Sequence, residues 1–172
     1  TNVNKLTINH DQFKGLVAKI CRDISASNWR PDYIVGITRG GLFPAVMISH
    51  YLNVPMHTLN VSLRDSDIGP ESNLWMAEDA LGVYGPPKNI LIVDDINDQG
   101  TTLNWIMDDW PKGCYPDGKG WETMWNNNVR FAVVIDNLSS NCYKTMDYTG
   151  MEVNKAEKDV WIDFPYEEWW TK

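Results

Sequence analysis

Residues 90–102, Ile90-Leu91-Ile92-Val93-Asp94-Asp95-Ile96-Asn97-Asp98-Gln99-Gly100-Thr101-Thr102, constrain the fold more than any other segment. Four apolar β-formers run straight into two adjacent carboxylates. A third carboxylate follows, and apolar residues then resume at Leu103, Ile106, Met107 and Trp110 with helical spacing. The pattern reads as a buried strand, a sharp turn and an amphipathic helix. In a parallel α/β sheet, ligands bind at the carboxyl edge of the strands, which is where Asp94 and Asp95 would lie. Gly100, Thr101 and Thr102 open the helix and offer backbone N–H groups and hydroxyls, a ready anion site. Carboxylates for hydroxyls or a metal, beside a cradle for an anion, describe a pocket for a sugar phosphate. An Asp pair alone could simply cap a helix; Asp98 and the Gly-Thr-Thr turn tip the balance towards a site.

The flanking sequence repeats the alternation of strand and helix. Asn9-His10-Asp11 precedes Phe13, Leu16, Val17, Ile20, Cys21 and Ile24, an amphipathic helix with a cap. Asp32–Thr38 reads as a buried strand, and a helix carrying Leu42, Val46, Met47 and Tyr51 follows Arg39-Gly40-Gly41. Val54–Val61 and Val129–Ile135 are further strands. The chain is therefore expected to be an α/β single domain (1–172), with a central, mainly parallel sheet flanked by helices. Residues 63–88, rich in polar residues, Gly and Pro, read as a long irregular stretch. Such stretches in compact domains are usually functional or mobile. Residues 111–128 read as a polar insertion bearing Trp121 and Trp125.

Arg39-Gly40-Gly41 sits between a strand and a helix. Two glycines let the backbone approach an anion, and Arg39 can fork onto two phosphate oxygens. The net charge of −8 argues against a general nucleic-acid surface, so any cation for an anionic substrate must be focused locally. Three cysteines without paired spacing (Cys21, Cys114, Cys142) read as reduced thiols in a cytoplasmic protein. Three histidines form no cluster that suggests zinc, and no apolar run reaches membrane-spanning length.

The 90–102 segment resembles the signature of type I phosphoribosyltransferases: an apolar strand, two acids, two spacers, Asp, Thr, Gly and Thr. The Arg39 loop is similar to that family's pyrophosphate loop. The tail, Trp161-Ile162-Asp163 followed by Pro165, Tyr166 and Glu167, resembles the base-binding segment of bacterial xanthine-guanine phosphoribosyltransferases. The resemblance implies Mg²⁺-dependent transfer from phosphoribosyl pyrophosphate to a purine, with a mobile lid within 62–88 and a C-terminal hood over 159–170. Asp94 and Asp95 would hold the ribose hydroxyls, with Asp95 nearest the metal and Asp94 beside it. Asp98 would sit near N7 of the purine and manage its proton. The amides of Asp98, Gln99, Gly100, Thr101 and Thr102 would cradle the 5′-phosphate, while Arg39, Gly40 and Gly41 would hold the pyrophosphate. Trp161 would stack on the base and the Ile162 backbone would contact it. The bond entering the loop, Thr38–Arg39, can be a non-proline cis peptide in that family. Ser62 and Arg64 fall near the start of its lid. A homodimer or higher homo-oligomer is expected, with no nucleic-acid partner and no membrane span. Trp169 and Trp170 read as packing residues; for Trp161, stacking on a base and packing weigh evenly.

Three departures stand out. Gln99 replaces a Thr of the phosphate loop. A base-contacting Lys that follows the fourth strand in purine-specific members is replaced by Asp136-Asn137, leaving Asn137 as the base contact. The late lid region, Trp75–Asp79, holds no basic residue, so that Arg64 or Lys88 would have to substitute. The missing Lys keeps open an alternative, a non-catalytic sensor of phosphoribosyl pyrophosphate or a nucleotide on the same fold. A flavodoxin-like phosphate binder would leave Asp94-Asp95 unexplained.

Overall fold

In the computed structural model, residues 4–61, 73–114 and 120–167 are described. Helix α1 (His10–Ala26) begins where the sequence places a cap. Asn9 and Gln12 form a reciprocal capping box, each side chain accepting from the other's backbone N–H at 2.8 and 2.9 Å. Strand β2 (Tyr33–Ile37) and the first half of β4 (Ile90–Asn97), Ile90 to Val93, are continuous apolar runs because helices cover both of their faces.

Five parallel strands form the main sheet in the order β3-β2-β4-β5-β6, with β3 (Met56–Leu59), β5 (Val129–Asn137) and β6 (Tyr148–Val153). Alternate strand residues face two cores. On one side Val35, Ile92 and Phe131 pack with α3 (Leu74–Leu81) and α4 (Thr101–Gly113). On the other Ile34, Val93 and Val134 pack with α1 and α2 (Leu42–Leu52). The chain runs from β2 outward to β3, then returns to place β4 on the other side of β2. The order thus reverses between β2 and β4, and that crevice is the natural ligand position in a sheet of this kind.

The structure adds three things to the sequence reading. Strand β1 (Asn4–Thr7) pairs in parallel with β7 (Val160–Asp163), so the two ends of the chain make a second, two-stranded sheet. Strand β6 forms the sheet edge, although its sequence, Tyr148-Thr-Gly-Met-Glu-Val153, carries a glycine that breaks the apolar pattern. The stretch 63–88 is not irregular throughout: α3 lies inside it, with Met76, Ala77 and Ala80 buried. The proposed lid residues Ser62 and Arg64 lie outside the described residues, as do Trp169 and Trp170. The 111–128 segment begins within α4 and returns to the core. Trp121 and Trp125 pack on Trp110, with ring centroids 6.1 Å away, and Trp125 stacks on Phe131 at 5.8 Å.

Candidate active site

The two chemistry-bearing turns meet at the β2–β4 crevice. The Thr38–Arg39 bond is cis, and the loop carries Gly40 directly against the Asp95 carboxylate. Any side chain at position 40 would strike that carboxylate and displace it, so glycine there keeps Asp95 in place. Arg39 is exposed and makes no ion pair with the described residues. At Gly41, helix α2 starts with no side-chain cap.

Strand β4 extends two residues beyond Asp95, so the acid pair lies within its last turn of pleat rather than past it. Asp94 Oδ1 accepts the Asp95 N–H at 2.8 Å, and Asp95 Oδ1 accepts the Ile96 N–H at 2.8 Å. Burial pushes the Asp94 carboxyl well above the usual carboxylate range, and the charge of Asp95 adds to that shift. The strand then delivers Asp98 to the turn. Gly100 follows with φ +87°, a left-handed conformation that leads into α4 with no side-chain capping bond. The first amides of α4, at Thr101 and Thr102, therefore lack side-chain acceptors and are available to an anion. Gly100 packs on the backbone of Cys142, which fixes the turn from behind.

A third strand end supplies a cation. Lys155, just past β6, places its ammonium 2.8 Å from Asp98 Oδ1, with 17% of the lysine side chain exposed. Asn137, at the end of β5, holds both partners of this pair. Its Nδ2 donates to the Asp98 carbonyl at 2.7 Å, and its Oδ1 accepts the Lys155 N–H at 3.0 Å. The same oxygen accepts the Ser139 hydroxyl at 2.8 Å. Behind them, Asn97 donates to Asp136 at 2.9 Å and accepts from Ser140 at 2.9 Å.

Trp161 is 56% exposed, whereas Ile162 is buried between β1 and the core. The contact from tail to acid strand runs through Tyr166, whose hydroxyl donates to Asp95 Oδ2 at 3.0 Å.

A model of the phosphoribosyl transferase domain matches residues 5–169. The chain belongs to the phosphoribosyl transferase family. It is 27% identical to xanthine phosphoribosyltransferase 1 of Saccharomyces cerevisiae, with 95% of this chain and 90% of that protein covered. A xanthine-guanine phosphoribosyltransferase of Cereibacter sphaeroides is 29% identical, covering 87% and 83%. In fold it is similar to a purine phosphoribosyltransferase from Pyrococcus horikoshii, with a TM-score of 0.67, 23% identity and coverage of 96% and 95%. The chain is thus a phosphoribosyltransferase.

Within that family frame, two expectations change. Asn137 is 6% exposed and bonded inside the protein through both amide atoms, so its place is that of a bracket and not of a base contact. Lys88 cannot substitute for a lid cation. Its ammonium lies 4.0 Å from Asp79 and 5.9 Å from the Tyr33 ring centroid, at the amino ends of β2 and β4. An eight-residue strand, spanning roughly 25 Å, separates it from Asp98. The sequence alone does not single out Lys155 or give Tyr166 a role. Lys155 sits among Asn154, Glu157 and Lys158, a run that looks like any solvated turn. Tyr166 lies beside the tail motif, which was a usable signal, but its contact with Asp95 is tertiary.

Proposed function

We propose that the protein transfers the 5-phosphoribosyl group of phosphoribosyl pyrophosphate to a ring nitrogen of a 6-oxopurine: guanine, xanthine or hypoxanthine. The bond from C1 of the ribose to pyrophosphate breaks, a C1–N bond forms, and the base loses a proton. The products are a nucleoside monophosphate and pyrophosphate.

The observation that carries this reading is the Lys155–Asp98 pair. It sets a donor-only ammonium beside a carboxylate acceptor, and both are fixed by one buried amide. A 6-oxopurine offers the complement on one edge, its 6-oxo oxygen for the ammonium and N7–H for the carboxylate. An amino group at the same carbon would point its hydrogens at the ammonium. The names of the relatives agree, since xanthine and guanine both carry an oxo group at that carbon.

The remaining roles follow from position. Arg39, Gly40 and Gly41 hold the pyrophosphate, and the amides from Asp98 through Gln99, Gly100, Thr101 and Thr102 hold the 5′-phosphate. Asp94 and Asp95 take the ribose hydroxyls, and Asp98 takes the base proton. Trp161 stacks on the ring, with the Ile162 backbone at its edge. Asn137 positions Asp98 and Lys155.

The donor set fits magnesium. Asp94 and Asp95 are adjacent, half-buried and mutually repelling, and no group of three or more metal-ligating side chains occurs among the described residues. A cation there would complete its shell with substrate and water oxygens, as magnesium prefers. Bound magnesium would supply positive charge to the departing pyrophosphate. Arg39 adds charge from the protein side, and the cradle amides fix the ribosyl phosphate for in-line displacement.

Phe43, Val46 and Tyr51 expose an apolar face of α2, in keeping with a homodimer, which light scattering would detect. Cytoplasmic residence agrees with three free cysteines.

The test is formation of pyrophosphate and nucleoside monophosphate from phosphoribosyl pyrophosphate and Mg²⁺. The panel is guanine, xanthine, hypoxanthine, adenine, orotate and uracil. Turnover confined to one or more of the first three supports the reading. Turnover only with adenine, orotate or uracil overturns the base assignment. Silence with all six, while the cosubstrate still binds, moves the protein to the sensor role.

A further inference from the structure

The geometry points to Tyr166 as a positioning residue that sets the Asp95 carboxylate for the cosubstrate, an inference that rests on the function proposed above. Asp95 has two carboxylate oxygens, each bonded by a group outside the acid pair, and the Asp94 carboxyl lies beside them. Oδ1 accepts the Ile96 N–H at 2.8 Å and Oδ2 accepts the Tyr166 hydroxyl at 3.0 Å. A carboxylate offers about four acceptor sites in all. The two bonds leave acceptor capacity on the carboxylate, now in a fixed orientation, for a ribose hydroxyl or a metal-bound water. Gly40 presses on the same carboxylate from the side of the pyrophosphate loop.

The phenol is held independently of Asp95. Its ring stacks on Phe43 at 4.0 Å and 3°, and on Phe164 at 5.4 Å and 7°, while Phe13 meets its edge at 5.6 Å and 85°. Phe43 lies in the first turn of α2, directly after Arg39-Gly40-Gly41, Phe13 comes from α1, and Phe164 follows β7. Three elements thus deliver one hydroxyl to one spot. If packing were the whole purpose, a phenylalanine would fill the same stack. A half-buried phenol in an aromatic stack is best satisfied by a partner, and here that partner is a carboxylate of the site. Burial, followed by the nearby Asp95 charge, holds the Tyr166 hydroxyl far above its ordinary pKa, so it remains a proton donor at neutral pH. Through this residue the tail that displays Trp161 also supports the carboxylate at the cosubstrate end of the site.

Tyr166→Phe keeps the stack and removes the bond. The experiment measures two affinities in wild type and variant. One is phosphoribosyl pyrophosphate with Mg²⁺ by calorimetry. The other is inorganic phosphate without metal, followed by the amide resonances of Gly100, Thr101 and Thr102. The expected result is a loss of about tenfold in cosubstrate affinity, the scale of one hydrogen bond to a charged group, with phosphate affinity unchanged. In turnover the KM for the cosubstrate rises more than kcat falls. Unchanged cosubstrate affinity overturns the inference. Equal loss of both affinities also overturns it, because the hydroxyl would then serve the fold in general. A wild type that binds phosphate but no phosphoribosyl pyrophosphate overturns the proposed function itself, and this inference with it.

Discussion

The two halves of the proposed site are built differently. The sugar-phosphate half comes from one continuous run, Asp94 to Thr102, in which a strand end, a left-handed glycine and a helix start supply carboxylates and amides in sequence order. The base half has no such run. Asp98 comes from β4, Asn137 from β5, Lys155 from beyond β6 and Trp161 from β7. Asp98, Asn137 and Lys155 meet because parallel strands all end at the same edge of the sheet, whereas Trp161 stands on the separate two-stranded sheet of β1 and β7. A compact motif of the first kind serves any reaction on the same sugar phosphate. A dispersed set of the second kind can change its members one at a time; here the end of β5 holds an asparagine, and the lysine beside Asp98 comes from past β6.

Breaking the first half has the largest effect. Asp94→Ala with Asp95→Ala is expected to lower Mg²⁺-dependent affinity for phosphoribosyl pyrophosphate at least ~100-fold by calorimetry, since both the metal's carboxylates and the ribose acceptors go. Affinity within a few-fold of wild type would remove the acid pair from the site. Asp98→Asn touches the seam between the halves. It should lower kcat by about 100-fold, the range for a lost proton acceptor, while cosubstrate affinity changes little; undiminished turnover would take Asp98 out of proton handling.

A smaller effect sharpens the contrast by showing that the acid pair is built at a cost to the fold. The Asp94 carboxyl is raised, so its neutral form is favoured in the folded chain. Its ionisation therefore costs the fold nothing below the ordinary carboxylate range. The cost grows as pH rises through the raised value and is complete above it. At neutral pH without magnesium, Asp94→Asn should raise the melting temperature by about 2–4 °C, as roughly 1 kcal/mol does for a chain of this size. The gain should vanish at low pH. An equal gain at pH 3 and pH 7 would show that charge is not its cause.

How much of this could be read from sequence follows the same division. The strand at Ile90, the turn glycine and the helix at Leu103 are local, and each residue's preference agrees with the fold. The acid pair, Arg39-Gly40-Gly41 and the capped first helix were legible for that reason. Strand β1 was not, because four residues paired with the far end of the chain leave no local period. Helix α3 was hidden by the Gly- and Pro-rich residues around it. Asn137 was visible as a polar residue at a strand end. Its use as a bracket depends on two loops, one from β4 and one from β6, that no spacing reveals. Lys155 and Tyr166 are ordinary residues until the sheet brings them to Asp98 and Asp95.

The account turns on the base being read by the Lys155–Asp98 pair. The direct measurement is kcat/KM for hypoxanthine against adenine in wild type and in Lys155→Met. These bases differ chiefly in an oxo or amino group at one carbon. The account predicts a wild type that favours hypoxanthine, and a variant whose preference falls by about tenfold or more, the scale of one charge-assisted contact, with cosubstrate KM little changed. An unaltered preference in Lys155→Met would contradict it, and the ammonium on Asp98 would then be a structural ion pair.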